Sequence, residues 1–321
     1  MKDFNGKIAV VTGGGTGMGR ELVRQLSAEG CHVAMCDVSA EEMERTQKQA
    51  LEEAPEGTRV TTCVADVSDE AQVLAFRDHV AAEHQTEHVN LVFNNAGIGG
   101  AGSMLVDTRE TWEMTFNVCW YGVYYGTRAF LPMLVASTEG HIINTSSVNG
   151  FWASLGPMTS HTAYSAAKFA VKGFTEALVT DLRLNAPHVK ASVVMPGHIG
   201  TSIVINSGRI LGQDPKELSD EQVAVARERM EKMGLPVANV TDDQIRQAVI
   251  QRVEDFKDKA PMTAAEASKV ILDGVREERW RILVGKDAHA LDRLVREDPE
   301  LAYEPSFMER LLKETEWQLG G

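Results

Sequence analysis

The chain has 321 residues, of which 43% are hydrophobic and 24% charged, an ordinary composition for a globular protein with a sizeable core. Its net charge of −14 argues against nucleic-acid and anionic membrane partners, because both need clustered positive charge. The four cysteines lack the spacing of a metal site, so we expect reduced thiols and no metal. No apolar run resembles a signal peptide or a spanning helix, so we expect a cytoplasmic location.

Short β-branched runs alternate with longer helical patterns along the chain. We predict strands at 7–12, 32–37, 59–64, 89–93, 141–145, 190–195 and 281–284, and helices at about 17–29, 40–53, 69–84, 108–136, 163–185 and 264–277. Several of the strands are nearly continuous apolar runs, which is typical of parallel strands covered on both faces. The alternation predicts an α/β fold with a doubly wound parallel sheet of seven strands.

The stretch of about 203–260 departs from this alternation. Two further helices are predicted there, at 219–233 and 242–258, with Ser219 and Thr241 as N-caps and a Gly-Leu-Pro break at 234–236. Their apolar stripe must bury against something, and it consists of Val223, Met230, Met233, Ile245, Val249 and Phe256. We interpret this insertion as a lid over a substrate cleft, with a subunit interface as the alternative.

Residues 286–321 follow the last predicted strand and form a second unit of the chain, after the main domain at 1–285. One or two helices are predicted in this C-terminal extension, with breaks at Pro299 and Pro305. Its amphipathic pattern favours a role in subunit assembly over a role in chemistry.

The first strand ends in a glycine-rich turn, Gly13-Gly14-Gly15-Thr16-Gly17-Met18-Gly19. Glycines allow a tight turn, bring backbone amides close to a pyrophosphate, and let the next helix pack on its strand and aim its positive end at the phosphates. The second strand ends in Asp37, where a carboxylate can accept hydrogen bonds from the adenosine ribose. Asp37 would repel the 2′-phosphate of NADP. Thr16 carries no positive charge to offset this repulsion, and Arg20 is expected at the surface. We therefore predict NAD as the cofactor.

Tyr164 and Lys168 are four residues apart in a predicted helix, so their side chains share one face. An unperturbed tyrosine has a pKa of about 10 and is a poor base near neutrality. A nearby ammonium favours the phenolate and lowers that pKa, which suits the tyrosine to proton exchange with an alcohol or a carbonyl oxygen. A serine hydroxyl that reaches the same oxygen would orient the substrate.

Taken in order, the motifs resemble those of the short-chain dehydrogenase/reductase family, in its compact single-domain branch. They are TGxxxGxG at 12–19, Asp66-Val67, Asn94-Asn95-Ala96-Gly97, Asn117, Ser147, YxxxK at 164–168 and the run from Pro196 to Thr201. The resemblance covers about residues 4–202 and 261–285. It implies a Rossmann fold, a small-molecule alcohol or ketone as substrate, and a homodimer or homotetramer.

The resemblance also implies a role for each matching position. Tyr164 would be the catalytic acid/base, Lys168 would lower its pKa, Ser147 would hold the substrate oxygen, and Asn117 would anchor a water that links Lys168 to solvent. The implied cofactor-binding set is Gly13, Thr16, Gly17, Met18, Gly19, Asp37, Asp66, Val67, Asn95, Ala96, Gly97, Tyr164, Lys168, Ile199 and Thr201.

The interval of 17 residues between Ser147 and Tyr164 is longer than usual for the family, and we assign the extra residues to a loop at 154–162. Ser146 stays open as the alternative serine. His161 and His198 are interpreted as solvated loop residues, with substrate contact as the alternative. Another pair, Phe151 and Trp152, either lines an apolar pocket or serves packing alone.

The leading hypothesis is an NAD-dependent oxidoreductase that interconverts a secondary alcohol and a ketone, on a bulky or apolar substrate. One alternative is a catalytically silent dinucleotide-binding regulator, which would be expected to lose part of the reactive set. Another is a sugar-nucleotide epimerase or dehydratase on the same fold, although that branch carries TGxxGxxG rather than the TGxxxGxG found here.

Overall fold

The computed structural model describes residues 1–100, 102–156, 159–232 and 234–315. The strands within these ranges are β1 (Ile8–Thr12), β2 (His32–Asp37), β3 (Val60–Val64), β4 (Leu91–Asn94), β5 (Gly140–Thr145), β6 (Val189–Pro196), β7 (Ile199–Gly200), β8 (Met262–Thr263) and β9 (Arg281–Val284). The helices are α1 (Gly17–Ala28), α2 (Ala40–Glu53), α3 (Glu70–His84), α4 (Arg109–Phe116), α5 (Gly122–Val135), α6 (Thr162–Asn185), α7 (Ile203–Ile210), α8 (Asp220–Lys232), α9 (Asp242–Asp258), α10 (Ala264–Arg276), α11 (Lys286–Glu297) and α12 (Pro305–Glu314).

Within the described residues, seven strands form one sheet in the order β3-β2-β1-β4-β5-β6-β9, and every pairing in it is parallel. The predicted doubly wound sheet is therefore confirmed. The strand order reverses between β1 and β4, and a crevice opens at such a switch point beyond the carboxyl ends of the strands.

Both faces of the sheet are covered, as the continuous apolar strands predict. Along β1, Ala9 and Val11 pack into one core with α1 and α10, whereas Ile8 and Val10 pack into the other with α3 and α5. Successive side chains of a strand point to opposite faces, so an apolar residue at every position serves two cores.

The predicted helix at 108–136 is divided by a π-helical stretch, Asn117–Tyr121, which lies between α4 and α5. Such stretches often occur at functional sites because they add a residue to a turn and redirect the neighbouring side chains. The sequence gives no periodicity signal for a single wide turn, so this division was missed.

The insertion contains one more helix than predicted, because α7 precedes the two expected ones. The expected caps are present: Ser219 and Gln222 exchange hydrogen bonds, and Thr241 forms a capping box. Val223 and Ile245 are buried together between α8 and α9, so part of the apolar stripe packs within the insertion itself. Another member of the stripe, Met233, lies outside the described residues.

The C-terminal extension folds back onto its own chain. Its α11 and α12 bury Leu291, Leu294 and Phe307 against the end of β6, and Trp152 packs in the same cluster. The indole Nε1 of Trp152 donates to the carbonyl of Ala302 at 2.7 Å. The apolar face that we assigned to subunit assembly is thus used inside the chain, because the core beside β6 and β9 needs a cover.

No helix among the described residues combines the length and the apolar character needed to cross a bilayer.

Candidate active site

The glycine turn packs directly against the loop that follows β4. Gly13 and Gly17 have positive φ values of 67° and 55°, in the left-handed region that favours glycine. A Cβ on Gly13 would lie only 2.9 Å from the Cα of Ala96, and a Cβ on Gly19 would collide with the carbonyl of Gly13. Larger residues would therefore push the turn, the helix and the loop apart.

The first turn of α1 leaves its amides open. Among the described residues, no side chain caps this helix and its first turn carries no acidic residue. The side chain of Thr16 bonds to another part of the chain, since its Oγ1 accepts a hydrogen bond from Asn206 Nδ2 at 3.1 Å. Met18 packs against the core and its carbonyl accepts from Ser268. The free N–H groups at Gly17 to Gly19 form an anion-binding site at the positive end of the helix.

Asp37 is part of the same turn. One carboxylate oxygen accepts from the Gly15 amide at 3.0 Å and the other from the Ser39 amide at 3.1 Å. The prediction that Arg20 lies at the surface is wrong. Its guanidinium bends back to the carbonyl of Gly15 and pairs with Glu42 at 2.6 Å, so its charge is neutralised beside the turn.

Four further members of the implied cofactor-binding set lie at the same edge of the sheet. One carboxylate oxygen of Asp66 accepts from both the amide and the hydroxyl of Ser68, at 2.9 and 2.8 Å. Val67 is buried beneath Gly122, where a Cβ would lie 2.7 Å from its Cγ2. The backbone amides of Asn95 and Ala96 both donate to the hydroxyl of Thr12 at 3.0 Å. The Asn95 Oδ1 atom is buried without a protein partner in the described chain.

Lys168 is almost fully buried behind Tyr164. Its Nζ donates to the carbonyl of Thr145 at 2.9 Å and lies 5.3 Å from the centroid of the Tyr164 ring. A Cβ on Gly97 would stand 3.5 Å from this nitrogen, so the glycine keeps the space in front of the ammonium open. Burial lowers the pKa of Lys168, because the charged form loses hydration.

Tyr164 is half-buried, and Ser147 lies close enough to its phenol to influence the pKa of that group. Burial raises the pKa of Tyr164 and the nearby thiol of Cys119 adds to this rise, whereas Ser147 opposes it. The sequence-based expectation of a lowered pKa is not met by the protein groups alone. The ammonium of Lys168 is bonded to Thr145 instead of the phenol, which weakens its effect on the hydroxyl.

The two candidate serines point in different directions. The Ser147 hydroxyl lies close to Tyr164 and accepts from the Asn149 amide at 3.1 Å. The Ser146 hydroxyl donates to the backbone carbonyl of Lys168 at 2.7 Å and is buried. Ser146 therefore fastens β5 to α6, and Ser147 faces the reactive pair.

Asn117 begins the π-helical stretch. Its carbonyl accepts from the amide of Gly122, five residues on, and two residues along the stretch Cys119 donates its thiol to the carbonyl of Ile98 at 3.2 Å. Ile199 is buried and pairs with Met262 in the small sheet of β7 and β8.

Thr201 completes the contacts of this loop with the glycine turn. A Cβ on Gly17 would lie 3.3 Å from the Thr201 side chain. The loop that carries Ile199 and Thr201 thus runs beside the glycine turn. Most of the positions that the resemblance singled out follow the carboxyl ends of the sheet strands, and the others lie in α6 and the π-helical stretch.

Both histidines expected in solvent are in contact with the protein. The ring of His161 packs on Tyr164 with centroids 4.6 Å apart, and burial lowers its pKa to about 4. His198 is 3% exposed, and its Nε2 is 2.7 Å from the carbonyl of Phe256 in α9. Neither contact is visible in the sequence, because the extra loop at 154–162 and the insertion supply them.

Helix α7 contributes residues that the sequence did not indicate. The Ser207 hydroxyl accepts from the amide of Gly99 at 2.7 Å, and Leu211 packs in one cluster with Ile98, Cys119 and Tyr164. The helix is too short for a clear hydrophobic period, so no pattern could have assigned it to the site.

The chain belongs to the short-chain dehydrogenase family, whose model matches residues 7–209. The oxidoreductase SadH of Mycobacterium tuberculosis is 34% identical over 301 residues, which cover 92% of each chain. Levodione reductase of Leifsonia aquatica is 32% identical over 69% of this chain and 80% of its own length. The protein is therefore an oxidoreductase with a nucleotide-binding Rossmann fold.

Among solved structures, a short-chain dehydrogenase/reductase from Burkholderia phymatum in complex with NAD is similar to this chain. The TM-score is 0.74 at 29% identity, and the match covers 95% of this chain and 98% of the other. The similarity extends beyond the family core into the regions of the insertion and the extension.

Proposed function

We propose that this protein is an NAD-dependent oxidoreductase that interconverts a secondary alcohol and a ketone, on a bulky or apolar substrate. The observation that carries the proposal is the arrangement of Ser147, Tyr164 and Lys168 beside the loop that follows β4. A serine hydroxyl close to a phenol, with an ammonium behind the phenol ring, can hold and protonate one substrate oxygen.

In this mechanism Ser147 and Tyr164 bind the substrate oxygen together. Tyr164 gives its proton to the oxygen of a ketone, or accepts the proton of an alcohol in the reverse direction. Bound NAD would accept a hydride from the carbinol carbon of the alcohol, and bound NADH would donate one to the carbonyl carbon of the ketone. Lys168 stabilises the phenolate of Tyr164 and returns the proton to solvent through a water that we assign to Asn117.

The residues of the turn fit a dinucleotide. The positive end of α1 has uncapped amides, and the glycines leave room where a Cβ would block a pyrophosphate. Asp37 would accept the ribose hydroxyls, and it would repel the 2′-phosphate of NADP. The Arg20 guanidinium is paired with Glu42, so it does not offset that repulsion. The NAD complex of the related Burkholderia phymatum protein agrees with this preference.

The walls around Tyr164 favour an apolar substrate. Ile98, Phe116 and Leu211 pack near the tyrosine, and His161, whose ring lies on Tyr164, is uncharged at neutral pH. We propose that the insertion acts as a lid over this cleft. Support comes from the bond of Ser207 to Gly99 and from an ion pair at 3.4 Å between Arg229 of α8 and Asp107 of the opposite loop.

We also propose a homo-oligomer in the cytoplasm. Helix α5 and the π-helical stretch carry a band of packed aromatic rings, in which Tyr121 is 38% exposed and stacks on Tyr125. Exposed aromatic groups are enriched at protein interfaces. Light scattering of the purified protein should therefore give a mass of two or four chains, and a monomer would refute this part of the proposal.

A panel of apolar secondary alcohols and ketones, assayed with NAD and NADP in parallel, tests the function. We expect absorbance changes at the reduced-nicotinamide band with at least one substrate and a preference for NAD. Lys168→Met should abolish turnover, whereas Lys172→Met is the matched control, one turn along α6 and paired at the surface with Glu176. Failure to bind NADH, or equal rates for both lysine variants, would contradict the proposal.

A further inference from the structure

The C-terminal extension reaches the active site through one carboxylate. Asp287 is the second residue of α11, and its side chain is buried against the loop between β6 and β7. Its Oδ2 accepts from the backbone amide of His198 at 2.6 Å. A Cβ on either Gly197 or Gly285 would collide with the carboxylate, so two glycines keep the space that this contact needs.

The loop that Asp287 holds leads directly to the reactive centre. Ile199 follows His198 and is fixed on its other side by pairing with Met262. Thr201, two residues further on, lies against Gly17 of the phosphate-binding turn. A shift of the amide of His198 would therefore move two residues of the implied cofactor-binding set, Ile199 and Thr201.

The same loop residue also fastens the insertion. The His198 ring is 2.7 Å through Nε2 from the carbonyl of Phe256 and packs on the Phe256 ring at 4.6 Å between centroids. His198 thus links the extension, through its backbone, to α9 of the insertion, through its side chain. The backbone contact is buried and the side-chain contact is partly buried. Hydrogen bonds to a charged acceptor are stronger than those between neutral groups.

We propose that Asp287 is a positioning residue, which holds the loop of His198, Ile199 and Thr201 in the geometry that the nicotinamide requires. The C-terminal extension then contributes to hydride transfer through its contact with the backbone of this loop. The inference rests on the proposed function, because it assumes a bound nicotinamide. Small displacements of a positioned reactant have large effects on rate, which is why one backbone contact can matter.

Asp292 provides a matched control on the same helix. It is 8% exposed, against 6% for Asp287, and it pairs with Arg281 and with Arg296, the latter at 3.0 Å. It fastens α11 to β9 without touching the loop. If Asp287 only stabilised α11, the Ala variants at the two positions would have the same effect on the reaction.

The experiment compares Asp287→Ala, Asp287→Asn and Asp292→Ala. We expect Asp287→Ala to weaken NADH binding and to lower kcat/KM by about tenfold each, the effect of losing one charge-assisted hydrogen bond. Asp287→Asn keeps an acceptor oxygen, so its NADH binding and its kcat/KM should each stay within about threefold of wild type. The same is expected of Asp292→Ala. Titration of NADH fluorescence measures binding without turnover.

Hydrogen exchange of the segment 196–203 in the NADH complex gives the second readout. Exchange should become faster there in Asp287→Ala and stay at the wild-type rate in Asp292→Ala. If Asp287→Ala does not fold, Asp287→Ser takes its place, because a serine keeps a polar group in the first turn of α11 but is too short to reach the loop.

Equal losses in the Ala variants at Asp287 and Asp292, or wild-type binding and exchange in Asp287→Ala, would overturn the inference. These outcomes differ from failure of the proposed function, in which the wild-type protein itself would neither bind NADH nor reduce a ketone.

Discussion

Replacing Asp37 by Asn should weaken the preference for NADH over NADPH. The carboxylate of Asp37 accepts from the amides of Gly15 and Ser39, so it is fixed within the turn and faces the expected ribose. Asn removes the negative charge and keeps only one acceptor oxygen, so one of the two bonds to the turn is lost. Because that loss affects both cofactors alike, the ratio of the two dissociation constants reports the effect of the charge.

The size of the effect follows from two contributions. A carboxylate and a phosphate charge about 5 Å apart repel by roughly 1–3 kcal/mol at effective dielectric constants of about 80 to 20. Hydrogen bonds to a charged acceptor contribute about 1.5–3 kcal/mol, part of which NADH loses with Asn. The ratio of the two dissociation constants should therefore fall by at least about tenfold.

Fluorescence titration with NADH and NADPH measures both dissociation constants on the same preparation. Asp78→Asn is the control, because Asp78 is an exposed carboxylate of α3 that pairs with Arg77. An unchanged ratio in Asp37→Asn, or tighter binding of NADPH by the wild-type protein, would refute the assignment of Asp37.

Three further predictions concern the serine pair, acid stability and the substrate wall. Ser146→Ala should lower the free energy of unfolding by about 1 kcal/mol and leave kcat unchanged, since its hydroxyl donates to the backbone carbonyl of Lys168; loss of turnover in this variant would restore Ser146 as the reactive serine. Burial lowers the pKa of His84 from 6.5 to about 4, so the unfolded chain binds more protons than the native state in that range and stability falls as the pH drops through it. Urea titrations at pH 7 and pH 5 measure how much the free energy of unfolding falls between the two pH values. That fall should be smaller in His84→Gln than in the wild-type protein, by up to about 1.4 kcal/mol per pH unit, and an equal fall would contradict this reasoning. Leu211→Ala should raise kcat/KM for bulky ketones relative to small ones by about tenfold, because Leu211 packs beside Tyr164, and an unchanged ratio measured in steady-state assays would remove Leu211 from the wall.

Features set by neighbours in the chain could be predicted from the sequence. The continuous apolar runs gave the parallel strands, and the glycine turn lies where the end of β1 requires it. Tyr164 and Lys168 share a face because four residues make about one helical turn. Local periodicity and spacing suffice for such features.

Features set by distant partners could not be predicted. His198 was expected in solvent, yet its backbone bonds to Asp287, 89 residues away. Arg20 was expected at the surface, but its guanidinium pairs with Glu42 and donates to the carbonyl of Gly15. The extension was assigned to another subunit because a sequence cannot tell which apolar surface an amphipathic helix will cover.

The same distinction applies to the pKa of Tyr164. The spacing of the motif indicates that an ammonium lies nearby, and this is observed. It does not indicate that the ammonium bonds to Thr145, or that burial raises the pKa of the phenol. The protein groups alone therefore leave Tyr164 protonated near neutrality, which suits the reduction of a ketone.

Ketone reduction by Tyr164→Phe under single-turnover conditions, with NADH already bound, tests the central claim most directly. Phe keeps the ring against His161 and Lys168 and removes only the hydroxyl. We predict NADH binding within about threefold of wild type and a rate of reduction lower by about 100- to 10,000-fold, the usual contribution of a positioned general acid. A variant that binds NADH normally and reduces the ketone at the wild-type rate would contradict the account.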